Sequence, residues 1–186
     1  GHCRGAIYGD VLANLLKFNG NKVTKEYYIN DYGNQIKNFV ESVFLRLREI
    51  KHNEKFPVKD NLYPGLYIKD IAQKILSKNK NINLDDFDKI YLLLKDVSLN
   101  ESMKLIKDDL SLLGISHDKF FSETDLVNKN LVKKAIKKLS DRNFVEEGFL
   151  QPPKGETNDN WKKIKRLIFK STLFGDDTDR ALQKND

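Results

Sequence analysis

The chain has 186 residues, 33 basic and 27 acidic side chains, a net charge of +6 and 39% hydrophobic content. That supports one buried core, alone or with an insertion; no apolar run is long enough to span a bilayer, and no signal-peptide pattern appears. The single cysteine, Cys3, excludes an internal disulfide framework and agrees with a reducing cytosol, while the mild basic excess permits nucleic-acid contact without requiring it.

In chain order, Ile7, Val11, Leu12, Leu15 and Leu16 recur at helical spacing, which predicts a first helix with one face packed inward. Gly20 is placed to close it in the left-handed conformation. Gly1 and His2 then stand at its N-terminus, where free N–H groups and the positive dipole end favour phosphate. A Gly-His start is also what a cloning scar leaves. KVTKEYYIND has the β-branched and aromatic density of a strand, around Val23 to Ile29. Asn30 and Asp31 end it, and either can cap the next helix. That helix carries the stripe Ile36, Phe39, Val40, Val43, Phe44 and Leu47, with Arg46, Arg48 and Lys51 gathering towards its far end. A strand between two helices predicts the α-β-α half of a parallel, doubly wound unit.

FPVKDNLYPGLY reads as a turn-rich connection, punctuated by Pro57, Pro64 and Gly65. Ile68, Ile71, Ala72, Ile75 and Leu76 follow, and a helical stretch runs from about Leu84 to Leu113, ended by Gly114. Residues from about Tyr67 to Gly114 thus read as a helical insertion. HDKFFSE is short, aromatic and strand-like, and NKNLVKKAIKKLSDRN is an amphipathic helix. Phe144-Val145 and Gly148-Phe149-Leu150 suggest a small hairpin stopping at Pro152-Pro153. Pro153 to Trp161 reads as a polar loop, Leu167-Ile168-Phe169 as another strand, and the end as turn-rich and acidic.

Several groupings carry possible chemistry. Asn30, Asp31, Gly33 and Gln35 fall where a strand's carboxyl end meets a helix start, the ligand side of open α/β sheets; capping plus a turn is the plainer account. Lys133, Lys134, Lys137 and Lys138 line a helix face opposite Leu131, Ala135 and Leu139, suited to an RNA backbone or simply to solvent. Trp161 among Lys162, Lys163, Lys165 and Arg166 suits stacking and neutralisation together, or plain packing. No zinc spacing exists, because His2, His52 and His117 are isolated and Cys3 has no second thiol. Asp176, Asp177 and Asp179 lack the glycine and distal glutamate of an EF-hand loop, and there is no P-loop motif. No metal site is therefore expected.

GHCRGAIYGD, VTKEYYINDYGNQI, LYPGLYIKD, IKDDLSLLGISHDKFFSE, PPKG with Trp161 a few residues on, and IFKSTLFGDDTDRAL resemble, in that order, segments of arginyl-tRNA synthetase, a class I aminoacyl-tRNA synthetase. The resemblance makes His2 the second histidine of the HIGH motif, catalytic and touching both ATP and arginine. It places Gly1, Arg4, Asp31, Gly33 and Gln35 around the same ATP- and arginine-binding pocket. It implies activation of arginine with ATP, Mg2+ accompanying the nucleotide, and transfer to tRNA(Arg), in a cytoplasmic enzyme that is monomeric at full length.

The expected fold is α/β, helix exceeding strand: an incomplete Rossmann-like (HUP-type) nucleotide-binding half over residues 1–56, then a connective insertion over 57–186. The insertion is expected to be mostly helical to about 143, with short strands and loops returning to the catalytic domain. The resemblance also implies an internal fragment, inactive alone, lacking the strand before HIGH, the arginine-reading segment and a KMSKS-like loop. Tyr27, Tyr28 and Ile29 would then lie on a strand with an unpaired edge. The alternative is a non-catalytic, basic helical RNA-binding or interaction module.

Overall fold

A computed structural model of the chain describes residues 2–150 and 164–182. They form two compact units, residues 1–123 and 124–186.

The first unit opens with α1 (His2–Phe18) and β1 (Glu26–Ile29). Three helices follow, α2 (Asn34–His52), α3 (Leu66–Lys78) and α4 (Phe87–Leu112), and then β2 (Lys119–Ser122). β1 and β2 pair in parallel, Glu26 opposite Lys119 and Ile29 opposite Ser122. The strand is shorter than the Val23–Ile29 expectation, and β2 lies along one of its edges; the two form a two-stranded sheet among the described residues. A parallel pair needs a crossover, and α2, α3 and α4 supply it.

The stripe on α2 forms the core as expected. Ile36, Phe39, Val40, Val43, Phe44 and Leu47 are all buried, and they pack on Ile68, Ile71, Ala72 and Ile75 of α3 and Leu94 of α4. A helix with apolar groups every three or four residues gains stability mainly by this burial. Asp86 starts α4 by accepting from the backbone N–H groups of Asp88 (3.0 Å) and Lys89 (3.4 Å). Gly20 and Gly114 end α1 and α4 with positive φ, each followed by a six-to-one bond, Asn21 N–H to Leu16 and Ile115 N–H to Leu110. These are Schellman closures, and the left-handed residue they require is cheapest as glycine.

Two expectations for this unit are corrected. The stripe on α1 does not pack inward: Ile7, Val11, Leu12, Leu15 and Leu16 are exposed, and of the helix's residues only Ala13 is buried. Periodicity identifies an apolar face but says nothing about what covers it. Neither Asn30 nor Asp31 caps α2; Gly33 occupies that position, with no side-chain cap. Arg46, Arg48 and Lys51 gather towards the far end of α2, as expected. They reach the carbonyls of Pro64 (2.8 Å), Leu84 (2.5 Å) and Ile82 (2.7 Å), tying the loops around α3 to α2.

The second unit takes up α5 (Glu123–Asn128) from Thr124, then α6 (Leu131–Ser140) and three strands, β3 (Val145–Gly148), β4 (Arg166–Phe169) and β5 (Arg180–Ala181). The strands form one antiparallel sheet in that order, with Val145 opposite Phe169 and Phe169 opposite Arg180. The expected local hairpin after Phe144 is thus corrected: the partner of β3 is β4, beyond the proline pair. Proline punctuation ends a strand but does not choose its neighbour. Phe174, on a 3-10 turn at Ser171–Phe174, packs against Phe144 (5.0 Å) and Phe169 (5.7 Å). The expectations for Gly1, Pro152-Pro153, the Pro153–Trp161 loop, Trp161, Lys162 and Lys163 lie outside the described residues.

Candidate functional site

Asn30, Asp31, Gly33 and Gln35 gather at the carboxyl end of β1, where it turns into α2. Gly33 makes this turn possible, with φ 86° and ψ −174°, a combination essentially restricted to glycine. A Cβ there would meet nothing within 4 Å, so backbone conformation alone selects the glycine. The Gly33 carbonyl accepts from the N–H of Ile36 (3.2 Å), which starts the first turn of α2. No acidic side chain stands in that turn.

Asp31 is half-buried and accepts from the Ser122 hydroxyl at 2.5 Å, joining the carboxyl ends of β1 and β2. Asn30 donates to Gln35 at 3.2 Å. Both amides line a cavity of about 270 Å3 whose walls are Tyr27, Tyr28, Tyr63 and Tyr67, with Ser102 and Met103 of α4 behind them. Partial burial, and then the Glu123 carboxylate that takes its hydrogen bond, raise the Tyr28 phenol above its usual range. Burial also raises Tyr67. The cleft is lined by neutral hydrogen-bonding groups and aromatic rings, chemistry suited to a planar polar group rather than to an isolated charge.

His2 and Arg4 are exposed on the first turn of α1, and neither side chain makes a hydrogen bond or ion pair with a described residue. That turn contains no acidic residue. Further along α1, Asp10 bonds the Lys25 ammonium at 2.7 Å, and the Lys25 N–H donates to Asp118 at 2.7 Å. These contacts join α1 to the approaches of both strands, and they hold both carboxyls below their usual range.

The structure thus groups Asn30, Gly33 and Gln35 with the clamped Asp31, while His2 and Arg4 remain on a separate helix start. Sequence reasoning missed Ser122, 91 residues from Asp31, together with Tyr63 and Tyr67. Only the carboxyl-end rule for parallel strands pointed towards the first of these.

The acidic run in the second unit is used internally. Arg180 grips Asp176 through two hydrogen bonds and takes its carboxyl down to about 2, while Asp179 accepts from the N–H and hydroxyl of Thr172. Among the described residues no three His, Cys, Asp or Glu side chains cluster to hold a metal. No described helix is long and apolar enough to cross a membrane.

These features define an α/β protein, rich in helix, with polar groups presented at the carboxyl end of a parallel strand pair. A scan against models of protein families found no match. Whole-chain similarity is more specific. The chain is 56% identical over its full length to the arginine–tRNA ligase of Pelagibacter ubique and 47% to that of Wolbachia pipientis wMel, covering 32% of each. A crystal structure named as an arginyl-tRNA synthetase, from Campylobacter jejuni, matches all of this chain and 37% of its own, with a TM-score of 0.76 and 26% identity. From end to end the chain is therefore similar to a segment of arginine–tRNA ligases, and it spans about a third of the length of the curated relatives it matches.

Proposed function

We propose that the chain is part of the catalytic region of an arginine–tRNA ligase, which joins arginine to tRNA(Arg) at the expense of ATP. The observation that carries this reading is the 56% identity sustained over the whole chain. Residues 1–56 are read as the opening of a Rossmann-like, HUP-type nucleotide-binding domain and 57–186 as its connective insertion. The alternative of a non-catalytic RNA-binding module is not favoured, since similarity extends through the strand-to-helix turn as well as the basic helix.

In this reading the carboxylate of arginine attacks the α-phosphorus of ATP, the bond to the β-phosphate oxygen breaks, and pyrophosphate leaves. The terminal ribose hydroxyl of the tRNA then attacks the adenylate carbonyl and releases AMP. His2, on the dipole-positive first turn of α1, donates to oxygens that gain charge as the first step proceeds. Gly1 and Arg4 flank it. Asn30 and Gln35 supply neutral hydrogen bonds at the strand end, Gly33 sets the turn, and Asp31 is held in place by Ser122. Mg2+ would be held mainly by the nucleotide phosphates and would neutralise their charge, since no three His, Cys, Asp or Glu side chains cluster among the described residues. The working enzyme is taken to be a cytoplasmic monomer.

The test is tRNA charging by the protein expressed from its complete reading frame. Arginine should be esterified to tRNA(Arg) in an ATP-dependent manner. Charging with another amino acid, or none with arginine, would dismiss the assignment.

A further inference from the structure

The second unit contains a basic surface that its own packing does not explain. Four cations elsewhere in this unit are paired, Lys129 with Asp125, Lys165 with Glu147, Lys170 with Glu146 and Arg180 with Asp176, while Arg142 and Arg166 make no ion pair among the described residues. Lys133, Lys134, Lys137 and Lys138 on α6 have no ion-pair partner among the described residues, although Asp141 lies one turn from the last two. From Leu131 to Arg142 there are five cations and one carboxylate.

This arrangement works against the helix itself. Lys133–Lys137 and Lys134–Lys138 are like-charge pairs at i,i+4 spacing, which repel. Lys133 and Lys134 also stand in the first turn, where the dipole disfavours cations, and no acid is present to offset them. No α6 residue is fully buried, so packing repays little of this cost. An external polyanion would relieve both penalties. The expected separation of basic and apolar faces needs correction here: Leu131 and Ala135 are exposed and adjoin the lysines. With Lys134, Lys137, Lys138 and Asp141 they line a depression of about 490 Å3. It offers an apolar floor to a sugar and an ammonium rim to its phosphates.

We propose that α6, through Lys133, Lys134, Lys137 and Lys138 beside the Leu131–Ala135 depression, docks the phosphodiester backbone of RNA. The choice of RNA among polyanions rests on the proposed function; the charge geometry does not. Contacts of this kind are independent of sequence, and each phosphate neutralised on a duplex adds about 0.9 to the slope of log affinity against log salt.

The test titrates the full chain with a fluorescent 12-base-pair RNA duplex of arbitrary sequence, from 50 to 200 mM salt. The four-fold variant K133Q/K134Q/K137Q/K138Q should lose about 3.6 units of slope and at least about tenfold in affinity at 50 mM. Its far-ultraviolet circular dichroism should retain the wild-type helix signal. The variant K129Q/K170Q, which removes two paired lysines, should match wild type. No duplex binding by wild type, an unchanged slope in the four-fold variant, or equal loss in K129Q/K170Q would overturn the proposal. Equal displacement of the duplex by polyglutamate and by unlabelled RNA would overturn it too, in favour of an acidic protein partner. Because the readout is binding, loss of arginine charging with this pattern intact would discard the enzyme assignment and leave the RNA surface standing.

Discussion

Substituting Gly33 by alanine isolates one structural cause from all others. The residue holds φ 86° and ψ −174° at the junction of β1 and α2, and a Cβ there would touch nothing within 4 Å. Any penalty must therefore come from the backbone, and such conformations cost roughly 1–3 kcal/mol for a residue with a side chain. Gly9 provides the opposite case: it lies inside α1, its φ is not positive, and its Cβ would also meet open space. Gly9→Ala should stabilise its helix by about 0.5–1 kcal/mol. Urea unfolding followed at 222 nm, with amide exchange along α1 and α2, measures both. Gly33→Ala should lower the midpoint and speed exchange in the first turn of α2, while Gly9→Ala slows exchange in α1. A Gly33→Ala change below about 0.5 kcal/mol, or the same sign at both glycines, would refute the reasoning.

Leu47→Ala, in a side chain with no exposed surface between α2 and its neighbours, should cost about 2–5 kcal/mol in the same urea assay. Ser122→Ala removes one hydrogen bond to a half-buried carboxylate and should cost about 0.5–1.5 kcal/mol, with faster exchange at Tyr28 and Ile29. Asp10 and Asp118 titrate below their ordinary values, so their contribution is complete above the unfolded pKa near 3.9 and fades as pH falls through the lowered folded values. In carboxyl-carbon NMR titrations, Lys25→Met should return Asp10 upward and move Asp118 much less, because Asp118 is held chiefly by the Lys25 backbone N–H.

What the sequence revealed follows from the range of each interaction. The α2 stripe was legible because six apolar residues on one helix face all found partners on α3 and α4. The same rule misjudged α1, whose leucines are periodic yet exposed. The turn at 30–35 was recognisable, but not its chemistry: Asn and Asp are the preferred caps, and here glycine geometry takes that position and releases Asp31 to meet Ser122. The pairing of β3 with β4 was hidden for a similar reason, since strand partners are chosen by register and packing across the intervening chain. The lysines of α6 were visible as a stripe; that they lack ion-pair partners among the described residues required the structure.

The central claim is that residues of this chain serve arginine activation, and arginine-dependent exchange of pyrophosphate into ATP tests it most directly. The chain alone, a third of its relatives' length, should give no exchange above a no-enzyme blank even with tRNA(Arg). The protein from the complete reading frame should exchange with arginine in the presence of that tRNA. His2→Ala should lower its rate by about 10²–10³, and His2→Asn, which still donates, by less. Exchange driven by a different amino acid, or wild-type rates in His2→Ala, would contradict the account.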